Sequence, residues 1–180
     1  MNMNTANKSQ SLPLTVNGAL VPAALAAALT AESTIAILEQ FEGNVLRVYP
    51  DKLAGGIPTY CAGMTDWKAP IGKTFTSDLC HEVNKTTVLK YGTAVLACTT
   101  WSHLTPRRLV GLTMFAINVG VSSACNSQAF KAINVGNIKT GCRLIAYKPS
   151  GDPNWSYAGG KFISGLHKRR VKEMVECLDV

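Results

Sequence analysis

Six cysteines, Cys61, Cys80, Cys98, Cys125, Cys142 and Cys177, place the strongest constraint on what this chain can fold into. The number is even, and no two stand in a C-x-x-C pair. That spacing argues against a zinc ribbon or a thioredoxin-type site and fits a disulfide framework made in an oxidising compartment. Free buried thiols are the alternative reading, because Cys is often simply a small core residue. Spacing alone does not choose the pairing.

A chain of 180 residues holds one folding unit with a real core, plus a tail. Its formal charge of +7 favours an anionic partner: nucleic acid, lipid headgroups or a bacterial envelope polymer. Of these, nucleic acid is disfavoured, since the basic residues show no aromatic-interleaved recognition motif. His81, His103 and His167 form no metal-ligand spacing, so neither a metal nor another cofactor is expected.

After Lys8 no charged residue occurs until Glu32. The run at 9–31, SQSLPLTVNGALVPAALAAALTA, is long enough to cross a hydrocarbon layer as a helix. It is a weak anchor, however: Ala dominates, and Pro13, Asn17 and Pro22 interrupt it. Three readings stay open: a cleaved secretory signal, a weakly hydrophobic signal-anchor, and an Ala-rich segment of a soluble protein.

From 31 onward Ile35, Leu38 and Phe41 recur at helical spacing, with Thr30 and Ser33 as candidate caps and Gly43 as a stop. Glu42 therefore closes a helix, where the negative end of the dipole disfavours its charged form. A carboxyl that holds its proton is what a general acid needs. The next stretch, to about residue 67, is rich in turn formers and reads as a small antiparallel hairpin or meander. Helices are then expected near 76–98, capped by Thr76 and Ser77, and near 106–118, with Thr105 as cap and Pro106 in the first turn. Shorter ones follow near 123–135, 137–147 and 162–178. The fold class is α+β: mainly helical, with a small antiparallel sheet near the beginning.

Cleaving a glycosidic bond requires one carboxylic acid to protonate the leaving oxygen and a second carboxylate to stabilise the transition state or activate water. Glu42, and Asp51 nine positions later, could face each other across a cleft, although such a pair alone is ordinary surface charge. The context changes its weight. The stretch FEG…YPD…GGIPTYCAGMT resembles the phage-type lysozymes, the endolysins that cut bacterial cell-wall glycan. Glu42, Tyr49, Asp51, Gly56, Thr59, Cys61, Gly63 and Thr65 match that family's pattern. Residues 114–136, MFAINVGVSSACNSQAFKAINVG, and 155–178, WSYAGGKFISGLHKRRVKEMVECL, resemble its later blocks. Two departures stand out: the loop between Asp51 and Thr59 is longer than usual, and Met64 stands where many relatives have His.

The resemblance implies a lysozyme-like catalytic domain over 31–180 behind a tail of 1–30. It implies a muramidase cutting the β-1,4 bond between N-acetylmuramic acid and N-acetylglucosamine of peptidoglycan, with inversion. Glu42 would be the general acid, Asp51 the charge-stabilising and water-orienting carboxylate, and Thr59 a hydroxyl that holds the attacking water. Asn118, Ser127, Trp155, Arg169 and Arg170 are candidate substrate contacts, against structural alternatives: Asn118 and Ser127 also suit caps, Trp155 packing, and the HKRR run at 167–170 a solvated face. Cys61 and Cys80 are a candidate pair, and the remaining four cysteines belong to the helical lobe. Some relatives carry an Ala- and Gly-rich signal-anchor-release segment, so a monomer made in the host cytoplasm, exported to the periplasm and first tethered to the inner membrane through 9–31 is expected. The tail has no Cys, which excludes a switch by thiol exchange with it. A non-enzymatic cationic protein that disrupts membranes or envelopes is the competing reading.

Overall fold

The computed structural model describes residues 13–52 and 55–180. Within the run at 9–31, residues 9–12 lie outside the described residues, and the rest is not one helix. Asn17 and Gly18 take left-handed backbone (φ 51° and 79°), the two-residue turn that joins antiparallel β1 (Thr15–Val16) to β2 (Ala19–Leu20). A helix of only eight residues, α1 (Ala23–Thr30), follows Pro22. Val16, Val21, Leu25 and Leu29 of this segment are buried in the same core cluster as the later helices. No helix among the described residues is long and apolar enough to cross a membrane.

Ala31 is extended (φ −71°, ψ 136°) and separates α1 from α2 (Glu32–Glu42). It makes no side-chain cap bond, and Thr30, expected as a cap, instead donates its hydroxyl back to the carbonyls of Ala26 and Ala27. Thr34 is buried and donates to Ala28 O at 2.7 Å, which fixes the bend between the two helices. Ile35 and Leu38 face the interior, and Gly43, at φ 75°, ends α2 with its N–H on Glu39 O.

Three strands follow in the order β3 (Val45–Asp51), β4 (Ile57–Cys61) and β5 (Met64–Thr65), all antiparallel. Tyr49 pairs with Thr59, Asp51 with Ile57, and Thr59 with Thr65. Side chains alternate along a strand, so Tyr49, Asp51, Ile57, Thr59 and Thr65 share one face of this sheet. Residues 53 and 54, within the stretch after Asp51 where a longer loop is expected, lie outside the described residues.

The long helix α3 (Ser77–Ala97) starts where Thr76 accepts from Leu79 N, and α4 (Pro106–Val119) starts where Thr105 accepts from Arg108 N. Every residue from Leu109 to Ala116 is buried, which makes α4 the central helix. The expected helix near 123–135 is two, α5 (Val121–Asn126) and α6 (Gln128–Asn134), divided by extended Ser127. After α7 (Ile138–Ala146) comes an additional hairpin, β6 (Tyr157–Ala158) and β7 (Lys161–Phe162), turning at Gly159–Gly160. The last helix, α8 (Ser164–Leu178), crosses α4 at Gly111, where an added methyl would come within 2.8 Å of Glu173 O.

All six cysteines are paired: Cys61–Cys80, Cys98–Cys125 and Cys142–Cys177. The first ties β4 to α3, the second α3 to α5, the third α7 to α8. Loops of 19, 27 and 35 residues are closed. In the chain-entropy picture each contributes about 3 to 4 kcal/mol.

Candidate active site

The end of α2, the β4–β5 turn and the facing sides of α3 and α4 enclose a cavity of about 330 Å³. Glu42 lines it from α2, Gly63, Met64 and Thr65 from the sheet, Thr87, Lys90 and Tyr91 from α3, and Ile117 and Asn118 from α4. Gly63 takes left-handed backbone (φ 74°) and packs directly on the acid: a methyl there would lie 3.3 Å from Glu42 Oε2. The turn thus covers one oxygen of Glu42.

Arg169 of α8 holds the other oxygen, with Nη1 2.6 Å from Glu42 Oε1. Its Nε donates to Glu173 Oε1 at 2.8 Å, and its Nη2 to the Met114 carbonyl at 3.2 Å. Both charges of the Glu42 pair are largely shielded, with side chains 18% and 10% exposed, so this is not a screened surface ion pair.

Arg170, expected to attract an anionic glycan, is fully buried and has no access to one. Its Nη2 donates to Asn118 Oδ1 at 2.6 Å, lies 3.1 Å from Glu173 Oε1, and its guanidinium stands over the Phe115 ring. Burial pulls its pKa down to about 10 and pushes that of Glu173 up, in both cases outweighing the opposite charge alongside. Partial hydrogen bonding agrees with this: Arg170 Nε and Nη1 and Glu173 Oε2 have no partner among the described residues. The chain Glu42–Arg169–Glu173–Arg170–Asn118 therefore runs from the cavity into the core and back to the cavity.

Asp51 ends β3, with its carbonyl accepting from Gly56 N at 2.7 Å. Tyr49, two residues earlier on the same face, has its phenol pKa raised by burial first, then by the negative charges of Asp51 and Glu42. Both carboxylates thus act on one phenol, which places it within the field of each. Thr59 is buried opposite Tyr49 and donates its hydroxyl to Ile57 O at 3.1 Å. Its cross-strand neighbour Thr65 lines the cavity.

Asn118 lines the cavity with its carbonyl oxygen taken by Arg170. Ser127 is buried, caps α6 by accepting from Phe130 N at 3.2 Å, and donates to Ala124 O at 2.6 Å. Trp155 has left-handed backbone (φ 51°) and packs edge-on against Phe115. It lines a separate cavity of about 490 Å³ with Gln128, Lys148 and Asn154. Sequence reasoning did not single out Glu173, Lys90 or Tyr91. For Glu173 a signal existed, because R-R-x-x-E sets one carboxylate at i+4 from Arg169 and i+3 from Arg170.

With this geometry in view, the chain is similar to known proteins. The model of the family described as phage lysozyme matches residues 39–173. The SAR-endolysin of Enterobacteria phage PA-2 is 32% identical over 133 residues, 72% of this chain and 73% of that protein. The muramidase domain of SpmX from Asticaccaulis excentricus superposes with a TM-score of 0.68 at 20% identity, covering 83% of this chain and 97% of that one. The endolysin from Escherichia coli O157:H7 phage FAHEc1 gives a TM-score of 0.66 at 23% identity, over 83% and 93%. At those identities the structural likeness establishes the lysozyme-like fold.

Proposed function

Because the chain belongs to the phage lysozyme family and is an endolysin that hydrolyses the β-1,4 glycan bond of bacterial peptidoglycan, we propose that Glu42 and Asp51 are its catalytic pair. The family decides for a glycoside hydrolase over a non-enzymatic envelope-disrupting protein. Glu42 protonates the glycosidic oxygen. Asp51 stabilises the oxocarbenium-like transition state and orients the water that attacks from the opposite face, giving inversion. Thr59 helps hold that water. Asn118 and Arg169 contribute to glycan binding at the cavity wall, and Trp155 offers an aromatic face beyond it.

The observation that carries this reading is the setting of Glu42: it closes a helix at a cavity, covered by Gly63 and held by Arg169. Digestion of purified peptidoglycan tests it. The expected fragments end in reducing N-acetylmuramic acid, formed first as the α anomer. An anhydro end would mean transglycosylation, and a first-formed β anomer would mean retention.

For the N-terminal run we propose export to the periplasm with a transient tether to the inner membrane through residues 9–31. Support comes from its uncharged, weakly apolar composition and from likeness to SAR-endolysins. The fold packed around α1 is then the form that has left the bilayer. Membrane fractionation before and after depolarisation, with intact-mass analysis of the N-terminus, checks this. A chain starting after a cleavage near 26–31, or one already soluble and active before depolarisation, contradicts it.

A further inference from the structure

Three contacts in succession bind the β4–β5 turn to one face of α3. Cys61 is bridged to Cys80, the Ala62 N–H donates to Asn84 Oδ1 at 3.2 Å, and the Thr87 hydroxyl lies 2.9 Å from Met64 Sδ. Positions 80, 84 and 87 follow the i, i+4, i+7 stripe of a helix, so the turn is held almost residue by residue.

Asn84 differs from its two neighbours in this stripe. It is fully buried in the middle of α3, where an amide is destabilising unless both its ends are satisfied. Both are, and by different elements: while Oδ1 accepts from the turn, Nδ2 donates to Glu39 Oε1 at 2.9 Å. Glu39 sits one helical turn before Glu42 on α2, and Gly63, next after Ala62, is the residue that packs on the Glu42 carboxyl. One side chain therefore joins the helix that carries the acid to the turn that covers it.

We propose that Asn84 is a positioning residue for Glu42: by bridging Glu39 and the Ala62 backbone it fixes the gap between the Gly63 turn and the carboxyl, and so the direction in which Glu42 faces the cleft. Asn84 does not line the cavity and acts through these two elements. The inference rests on Glu42 being the acid.

Asn84→Asp tests it. The new carboxylate can still accept from Ala62 N–H but faces that of Glu39, and like charges push α2 and the turn apart. The expected result is a fall in kcat of about tenfold or more with KM nearly unchanged, the scale expected when a catalytic group is displaced by a fraction of an ångström. Adding Glu39→Gln reverses the sense of that hydrogen bond, because the amide now donates to the carboxylate. The double variant should recover kcat to within about threefold of the parent. If Asn84→Asp does not fold, Asn84→Ala with its disulfides intact carries the same expectation for kcat. The proposal is overturned if the folded single variant, assayed well below its Tm, keeps the parental kcat, or if the double variant regains Tm but not kcat. Glu42→Gln run alongside separates the two failures: parental turnover there refutes the acid and overturns this proposal with it, whereas lost turnover there beside a parental kcat in the folded Asn84 variant overturns the Asn84 role alone.

Discussion

Gly63→Ala places a single methyl group against the acid. Two effects follow, and the structure separates them. The first is a backbone cost: at φ 74° an L side chain costs about 1 to 2 kcal/mol relative to Gly. For a chain of this size that lowers Tm by roughly 2 to 8 °C. The second is local: the methyl carbon would lie 3.3 Å from Glu42 Oε2, tighter than ordinary contact, so the carboxyl must give by a few tenths of an ångström. Displacement by 1 Å costs about a hundredfold, so a fall in kcat of about threefold to thirtyfold is expected. Gly151→Ala is the control, since it has φ 92° and nothing within 4 Å of the added methyl. It should lose Tm comparably and keep kcat. Turnover of soluble peptidoglycan fragments, with melting followed by circular dichroism, reads both quantities. Equal kcat in the two variants would refute the packing of Gly63 on the acid as a catalytic constraint.

Arg169→Lys removes the fork that joins Glu42, Glu173 and Met114 O, because a single ammonium nitrogen cannot span the three acceptors that Nη1, Nε and Nη2 reach separately. A loss of about 1 to 3 kcal/mol in denaturant unfolding and at least a tenfold fall in kcat/KM are expected. Leu29→Ala should cost about 2 to 5 kcal/mol by the same unfolding assay, since Leu29 is fully buried against Gly92, and it tests whether α1 is part of the folded core. Glu173 makes stability depend on pH. Its raised folded pKa means the native state holds this proton more tightly, so the contribution is complete below about 4.5 and is lost as pH rises through the folded value. Glu173→Gln should remove that slope from a plot of Tm against pH, and an unchanged slope would contradict the assignment.

The legible parts of the fold were those written in local chemistry. Thr76, Thr105 with Pro106, and Gly43 mark helix ends because caps and left-handed glycines act within one turn. The run at 9–31 was legible only as composition, which left three readings open; that Asn17–Gly18 makes a hairpin and that Leu25 and Leu29 find a core depends on partners only the folded chain supplies. Gly159–Gly160 carried a similar turn signal between the helices expected at 137–147 and 162–178. Of the candidate site, Glu42 at a helix end was visible. The burial of Arg170 was not, because a basic run on a helix is ordinarily solvated, and only the packing of α8 on α4 puts Asn118 and Phe115 beside it. Asn84 carried no signal at all: its partners lie 22 and 45 residues away.

Everything proposed for the cleft turns on Glu42 supplying the proton for glycosidic cleavage. The most direct measurement is the turnover number of purified Glu42→Gln on peptidoglycan, with Tm and the three disulfides verified against the parent. A loss of at least about a hundredfold is expected, since general acid catalysis is worth roughly 10² to 10⁴ in rate. Turnover within about threefold of the parent, from a protein folded to the same degree, would contradict it.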